Sequence, residues 1–144
     1  MVHISCAVCL RGWGAVPGNK RILIVDDDPN ARELIRLALS KYECDVFEAA
    51  NGQQGLDIAL HEKPSLIITD HLMPNFTGYE LFQKVRRAIE LKKVRFIMVT
   101  TKQFDPKFPE LLKLEGCDFI SKPFHVATLI GTIEKLLGPL PFRI

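Results

Sequence analysis

Apolar residues along this chain fall into two alternating kinds of run. Short continuous ones stop at polar or charged residues: Ile22-Leu23-Ile24-Val25 before Asp26, Leu66-Ile67-Ile68 before Thr69-Asp70, and Phe96-Ile97-Met98-Val99 before Thr100. Consecutive apolar positions over that length predict strands buried on both faces. Between them, apolar residues recur at helical spacing. Ala31, Leu34, Ile35, Ala38 and Leu39 predict a first helix, with Asp28 as N-cap and Pro29 at its first position. A second strand, Cys44–Ala49, precedes Asn51 and Gln54, a capping pair for a helix that buries Leu56, Ala59 and Leu60 and ends near Pro64. The third strand spans Ser65–Asp70. Thr77 and Glu80 form another capping box, opening a helix with Leu81, Phe82, Val85 and Ile89 inward. Val94–Val99 is the fourth strand. Pro106 and Pro109 limit the next helix to a short one with Pro109 in its first turn and Leu111, Leu112 and Leu114 as its apolar residues. Asp118–Ser121 is a fifth strand. A last helix buries Leu129, Ile130, Ile133, Leu136 and Leu137 until Gly138-Pro139 stops it.

Five strands alternating with five helices predict a doubly wound α/β domain on a parallel sheet, because parallel neighbours need crossover helices. The regular pattern covers residues 20–138. Residues 1–19 show no sustained period and are expected to be an irregular extension; residues 139–144 form a tail with no expected role. A chain of 144 residues supports one domain with a core large enough to fold alone. The formal net charge of +2 gives no push toward nucleic acid or an anionic membrane. No apolar run approaches the roughly 18 residues of a membrane span, and a cytoplasmic location is expected. Cys44 and Cys117 lie in apolar stretches and are expected to be buried thiols. Cys6 and Cys9, with His3 upstream, have a CxxC spacing that invites a zinc or redox reading. No second ligand pair stands at metal spacing and no βαβ unit precedes the motif, so the pair is assigned to the irregular extension.

The polar residues that look out of place all stand at the C-terminal ends of strands. Asp26 and Asp27 follow strand one, Asp70 strand three, Thr100 strand four and Lys122 strand five. In a doubly wound sheet these ends share one edge, where such folds place their chemistry. Two unit charges about 4 Å apart repel by roughly 4 kcal/mol at an effective dielectric near 20, so a positive group is expected among the carboxylates. Lys122 supplies one. A hard divalent cation with oxygen ligands, magnesium first and manganese second, suits the rest. Asp28 is expected to cap the first helix rather than to bind metal.

These residues carry a resemblance. Asp26-Asp27, Asp70-x-x-Met73-Pro74-x-x-x-Gly78, Thr100 after an apolar strand, and Lys122-Pro123-Phe124 resemble the receiver domain of two-component response regulators, from Lys20 to about Leu137. The intervals of 43, 30 and 22 residues from Asp27 to Asp70, Thr100 and Lys122 also match. The resemblance implies a flavodoxin-like (βα)5 fold with strand order 2-1-3-4-5, and a phosphoacceptor signalling domain rather than an enzyme. It implies that Asp70 accepts a phosphoryl group from a histidine kinase or phosphotransfer protein. Asp26, Asp27, Asp70 and the backbone carbonyl of Leu72 would hold Mg2+, with Mn2+ as a substitute. Thr100 and Lys122 would contact the phosphoryl oxygens. It further implies a cis Lys122–Pro123 bond and a switch made of Thr100 and Phe119, although Phe119 also reads as plain core. Output would pass to a protein, not to nucleic acid or membrane, through the face of helix four, strand five and helix five, which can also serve a homodimer.

Several positions depart from the family pattern. Thr101 stands where a small residue is usual and narrows access to the site. Leu72 and Lys102, two residues after Asp70 and Thr100, occupy positions that tune hydrolysis. Leucine cannot orient water and lysine can shield the phosphoryl group, so slow loss of phosphate is expected. His71 is expected to be exposed and without a role. Only seven residues follow Leu137, so a chemotaxis-type single-domain receiver is expected, with a receiver cut from a larger regulator or hybrid kinase as the alternative. Two other classes compete. A flavodoxin-like cofactor binder would need a glycine-bearing phosphate loop where Asp26-Asp27-Asp28-Pro29 stands, and a non-phosphorylated interaction module would lack the acidic residues.

Overall fold

The computed structural model describes residues 3–4, 20–74, 76–101 and 107–143. Within them, five parallel strands alternate with five helices: β1 (Lys20–Val25), α1 (Pro29–Leu39), β2 (Cys44–Ala49), α2 (Gly52–Glu62), β3 (Leu66–Thr69), α3 (Gly78–Arg87), β4 (Arg95–Thr101), α4 (Lys107–Leu114), β5 (Cys117–Lys122) and α5 (Val126–Leu137). The parallel order is 2-1-3-4-5, as expected from the resemblance. His3–Ile4 adds a two-residue antiparallel strand beside Phe47 and Glu48 on the outer edge of β2, so the first 19 residues are not wholly irregular. Cys6 and Cys9 lie outside the described residues.

Alternate residues of each apolar run point to opposite faces, as the two-residue period of a strand requires. Leu23, Val25, Phe47, Ile67, Phe96 and Met98 join Ile58, Leu81, Phe82, Val85 and Leu112 under α2, α3 and α4. Ile22, Ile24, Val46, Ile68, Ile97 and Val99 join Ile35, Leu39, Leu129, Ile130 and Ile133 under α1 and α5. The predicted caps are in place. Asp28 accepts from the backbone N–H of Asn30, Asn51 from Gln54, and Thr77 and Glu80 form a reciprocal capping box. Gly138 follows α5 with φ +84°, a conformation that favours glycine, and Pro139 comes next.

Four helix faces differ from the predicted ones. Leu34 and Leu60 are exposed, and Ile58 takes the inward place on α2. α3 stops at Arg87 and a 3-10 turn over Ile89–Leu91 follows, so Leu91 enters the core while Ile89 is 78% exposed. On α4 only Leu112 is buried; Leu111 is exposed and Leu114 is 87% exposed. Phe108 and Leu112, one helical turn apart, are the residues this short helix turns toward the core.

The tail has a structural role that its sequence did not announce. Leu140 is only 4% exposed and joins the core under α1 and α5. Phe142 stacks on Tyr42 with ring centroids 5.1 Å apart. The backbone N–H of Glu43 donates to the Pro141 carbonyl at 2.7 Å, and that of Arg143 to the Lys41 carbonyl at 2.7 Å. The tail therefore pairs with the α1–β2 turn as a short antiparallel strap. Leu140→Ala should cost about 2–4 kcal/mol by urea unfolding, the range for emptying a buried leucine site.

Candidate functional site

Strand pairing sets the site. Val25 pairs with Thr69, so β1 and β3 end level; Thr69 pairs with Met98, and β4 and β5 run on together to the Thr101–Lys122 pair. The residues that follow, Asp26-Asp27 and Asp70, leave the sheet on its C-terminal edge, with Thr100 and Lys122 at the ends of β4 and β5. The same βα connections aim helix N-termini, with their unpaired N–H groups, at this edge.

The carboxylates of Asp26, Asp27 and Asp70 each place an oxygen within 4.8 Å of the others. Asp26 is buried, Asp70 half-buried and Asp27 exposed. Lys122 Nζ donates to Asp26 Oδ2 at 3.0 Å and lies 3.8 Å from Asp70 Oδ2. Backbone donors hold two of the carboxylates: the N–H of Asp28 reaches Asp26 Oδ1 at 2.9 Å, and that of His71 reaches Asp70 Oδ1 at 2.8 Å. Burial pushes the Asp70 carboxyl above its ordinary pKa of 3.8; Lys122 opposes the shift, and Asp26 and Asp27 add to it. Thr100 is buried, and its hydroxyl has no hydrogen-bond partner among the described residues. A buried hydroxyl left without a partner costs stability unless something later fills that place. The Lys122–Pro123 bond is cis. Phe119 is half-buried on β5 opposite Met98 and packs at the border of the core under α4.

The structure brings together Asp26, Asp27, Asp70 and Lys122. Asp28 is the helix cap, as expected. Leu72 lies in the loop after Asp70 with an exposed side chain, and Lys102 is outside the described residues. His71 corrects the sequence reading. It is half-buried, its ring lies 4.8 Å from that of Phe108 on α4, and its Nδ1 accepts from the backbone N–H of Tyr79 at 3.4 Å. Burial lowers its pKa, so the imidazole is neutral at physiological pH.

Two further residues shape the site. Arg32 Nη1 donates to the backbone carbonyl of Asp26 at 2.6 Å while its Nε pairs with Glu48. A cation near a helix start opposes the helix dipole, and that local misfit was the available signal of a tertiary partner. Gly78 is the other. A Cβ there would overlap the Asp70 carbonyl and come 2.7 Å from Met98 Sδ, so the chain beside Asp70 accepts no side chain.

The fold and the site together define a phosphoacceptor domain: a parallel five-stranded sheet presenting one aspartate among acidic neighbours, a lysine and a buried threonine. The model of the response regulator receiver domain family matches residues 22–134, and the chain belongs to that family. It is 35% identical over 120 residues to the phosphate regulon transcriptional regulatory protein PhoB of Pseudomonas aeruginosa, covering 82% of this chain and 52% of PhoB. To protein PilH of the same organism it is 32% identical over 118 residues, 82% of this chain and 98% of PilH. The chain thus spans about half of some relatives and nearly all of others. The crystal structure of the chemotaxis response regulator CheY4 of Vibrio cholerae superposes with a TM-score of 0.75 at 30% identity, covering 83% of this chain and 99% of that one. Neither this match nor the acidic β1–α1 turn favours a flavodoxin-type cofactor site.

Because the Asp70 pKa is raised on folding, the folded state holds that proton more tightly than the unfolded chain. The associated stability is present below pH 3.8 and is lost as pH rises through the raised value. Asp70→Asn should therefore melt at a higher temperature than the native protein at pH 7 in metal-free buffer. The gap should shrink as pH falls toward 4, as followed by thermal denaturation at both pH values.

Proposed function

We propose that Asp70 accepts a phosphoryl group from the phosphohistidine of a sensor histidine kinase or phosphotransfer protein, and that the change is read by a protein partner. The observation that supports this best is the pairing of opposed needs around Asp70. Lys122 Nζ stands 3.8 Å from its carboxylate, and the Asp26 and Asp27 oxygens lie within 4.8 Å. A carboxylate oxygen of Asp70 attacks phosphorus, the P–N bond to the donor imidazole breaks as the new P–O bond forms, and the freed imidazole nitrogen takes up a proton. Such transfers need positioning and charge neutralisation more than proton chemistry.

The donor set fits a hard divalent cation: three carboxylates and no sulfur or imidazole in the cluster. Asp26, Asp27 and Asp70, with the Leu72 carbonyl, would hold Mg2+, which when bound supplies positive charge to the phosphoryl oxygens. Lys122 holds Asp26 and Asp70 together and faces the incoming phosphoryl group. The unpartnered Thr100 hydroxyl turns toward the new oxygens, vacating space that Phe119, at the edge of the core, moves to fill. This shifts the population toward an altered α4–β5–α5 face, where Leu111 and Leu114 stand exposed. No helix among the described residues is long and apolar enough to cross a membrane. We infer a signalling acceptor in the cytoplasm, acting on protein rather than nucleic acid.

Incubation with acetyl phosphate and magnesium should add one phosphoryl mass to the native chain and none to Asp70→Asn. A native chain that takes no adduct and is unperturbed by beryllofluoride would refute the reading. Leu72 beside the acceptor offers water no polar anchor, so the phosphorylated form should persist for many minutes. Decay within seconds, followed by intact mass, would refute that part.

A further inference from the structure

We propose that Phe76 is a positioning residue for cation binding, pinning the loop after Asp70 to the first turn of α2; this rests on the reading of the acidic cluster as a magnesium site. The cluster draws its oxygens from two separate pieces of chain. Asp26 and Asp27 extend from the end of β1, whereas Asp70 and Leu72 belong to the end of β3 and the loop behind it. A cation bridging the two binds tightly only if their separation is held before it arrives.

α2 is the element both pieces touch. On the β1 side, a Cβ at Gly55 would come 2.9 Å from Val25 Cγ2, so α2 lies directly on the residue preceding Asp26. The Asp26 N–H also donates to the Ala49 carbonyl at 3.1 Å, and the Ala50 N–H to Gln54 Oε1 of α2 at 2.9 Å. On the loop side the contact is Phe76. Its ring lies on Gly52, the first residue of α2, so closely that a Cβ there would overlap the ring carbons. Lys84 Nζ stands 5.7 Å from the same ring, and the ring borders the core under α2 and α3. Leu72 and Pro74 are exposed, so after Met73 the next described side chain that packs inward before α3 is Phe76. Glycine at position 52 is thus the seat of the ring, and the ring references the loop after Asp70 to the helix that packs on the end of β1, from which the acidic pair extends.

Residues that orient ligands without touching the metal typically matter by 10–100-fold in metal affinity. The test is Mg2+ titration by calorimetry of the unphosphorylated protein. Gly52→Ala, which displaces the ring, and Phe76→Ala, which removes it, should each weaken Mg2+ about ten-fold. The double variant should bind no more weakly than Phe76→Ala alone, because the added methyl then has nothing to displace. Gly131→Ala on α5, where a Cβ meets nothing within 4 Å, should bind like the native protein.

Losses that multiply in the double variant would overturn the proposal. So would a cooperatively melting Gly52→Ala that binds within about two-fold of native, well short of the ligand-orienting range. If Gly52→Ala fails to fold, Phe76→Ala alone decides: native-like affinity overturns the proposal and a loss near ten-fold sustains it. A native protein that does not bind Mg2+ would instead defeat the reading of the cluster, and this inference with it.

Discussion

Like charges gathered at one edge of a sheet govern this domain. Three carboxylates sit with oxygens within 4.8 Å, where each pair of charges repels by roughly 4 kcal/mol at an effective dielectric near 20. The fold tolerates this through directed compensation. Lys122 reaches across from β5, backbone N–H groups of Asp28 and His71 bind the carboxylates, and helix N-termini face the same edge. Burial still holds the Asp70 carboxyl above its ordinary pKa, with Lys122 opposing the shift and Asp26 and Asp27 adding to it. Three clustered carboxylates are a donor set that suits a hard divalent cation.

The surrounding contacts keep this arrangement fixed. Gly78 lets α3 start hard against the acceptor's own carbonyl, Arg32 ties down the carbonyl of Asp26, and the cis Lys122–Pro123 bond follows the lysine directly. Thr100 is buried, its hydroxyl has no partner among the described residues, and it pairs with Ser121, two residues along from the Met98–Phe119 pair. His71 links Asp70 to α4, since its backbone N–H binds Asp70 while its ring meets Phe108. Tyr79, whose hydroxyl binds Glu115 beyond the end of α4, packs against the same Phe108 ring.

Most of the architecture could be read from local pattern. Continuous apolar runs announced buried strands, and the caps at Asp28, Asn51 and Thr77 fell where side-chain oxygens can reach the next turn. The spacing of Asp27, Asp70, Thr100 and Lys122 pointed to the receiver family before any contact was known. Each of these signals involves residues a few positions apart, or a motif that survives as spacing along the chain. The misreadings lie elsewhere. Ile89, Leu111 and Leu114 are apolar and correctly phased for a helix, but whether they are covered depends on where the helix stops and what packs beside it. The strap formed by Leu140 and Phe142 depends on Tyr42, a hundred residues earlier. His71 reads as an isolated polar residue until α4 is laid against it, and Phe76 as a loop hydrophobe until Gly52 is beneath it. Period and capping are properties of neighbours in sequence and so belong to the chain alone. Coverage of a helix face, docking of a tail and the seating of a ring belong to surfaces that meet only after the sheet has assembled, and the tertiary structure alone decides them.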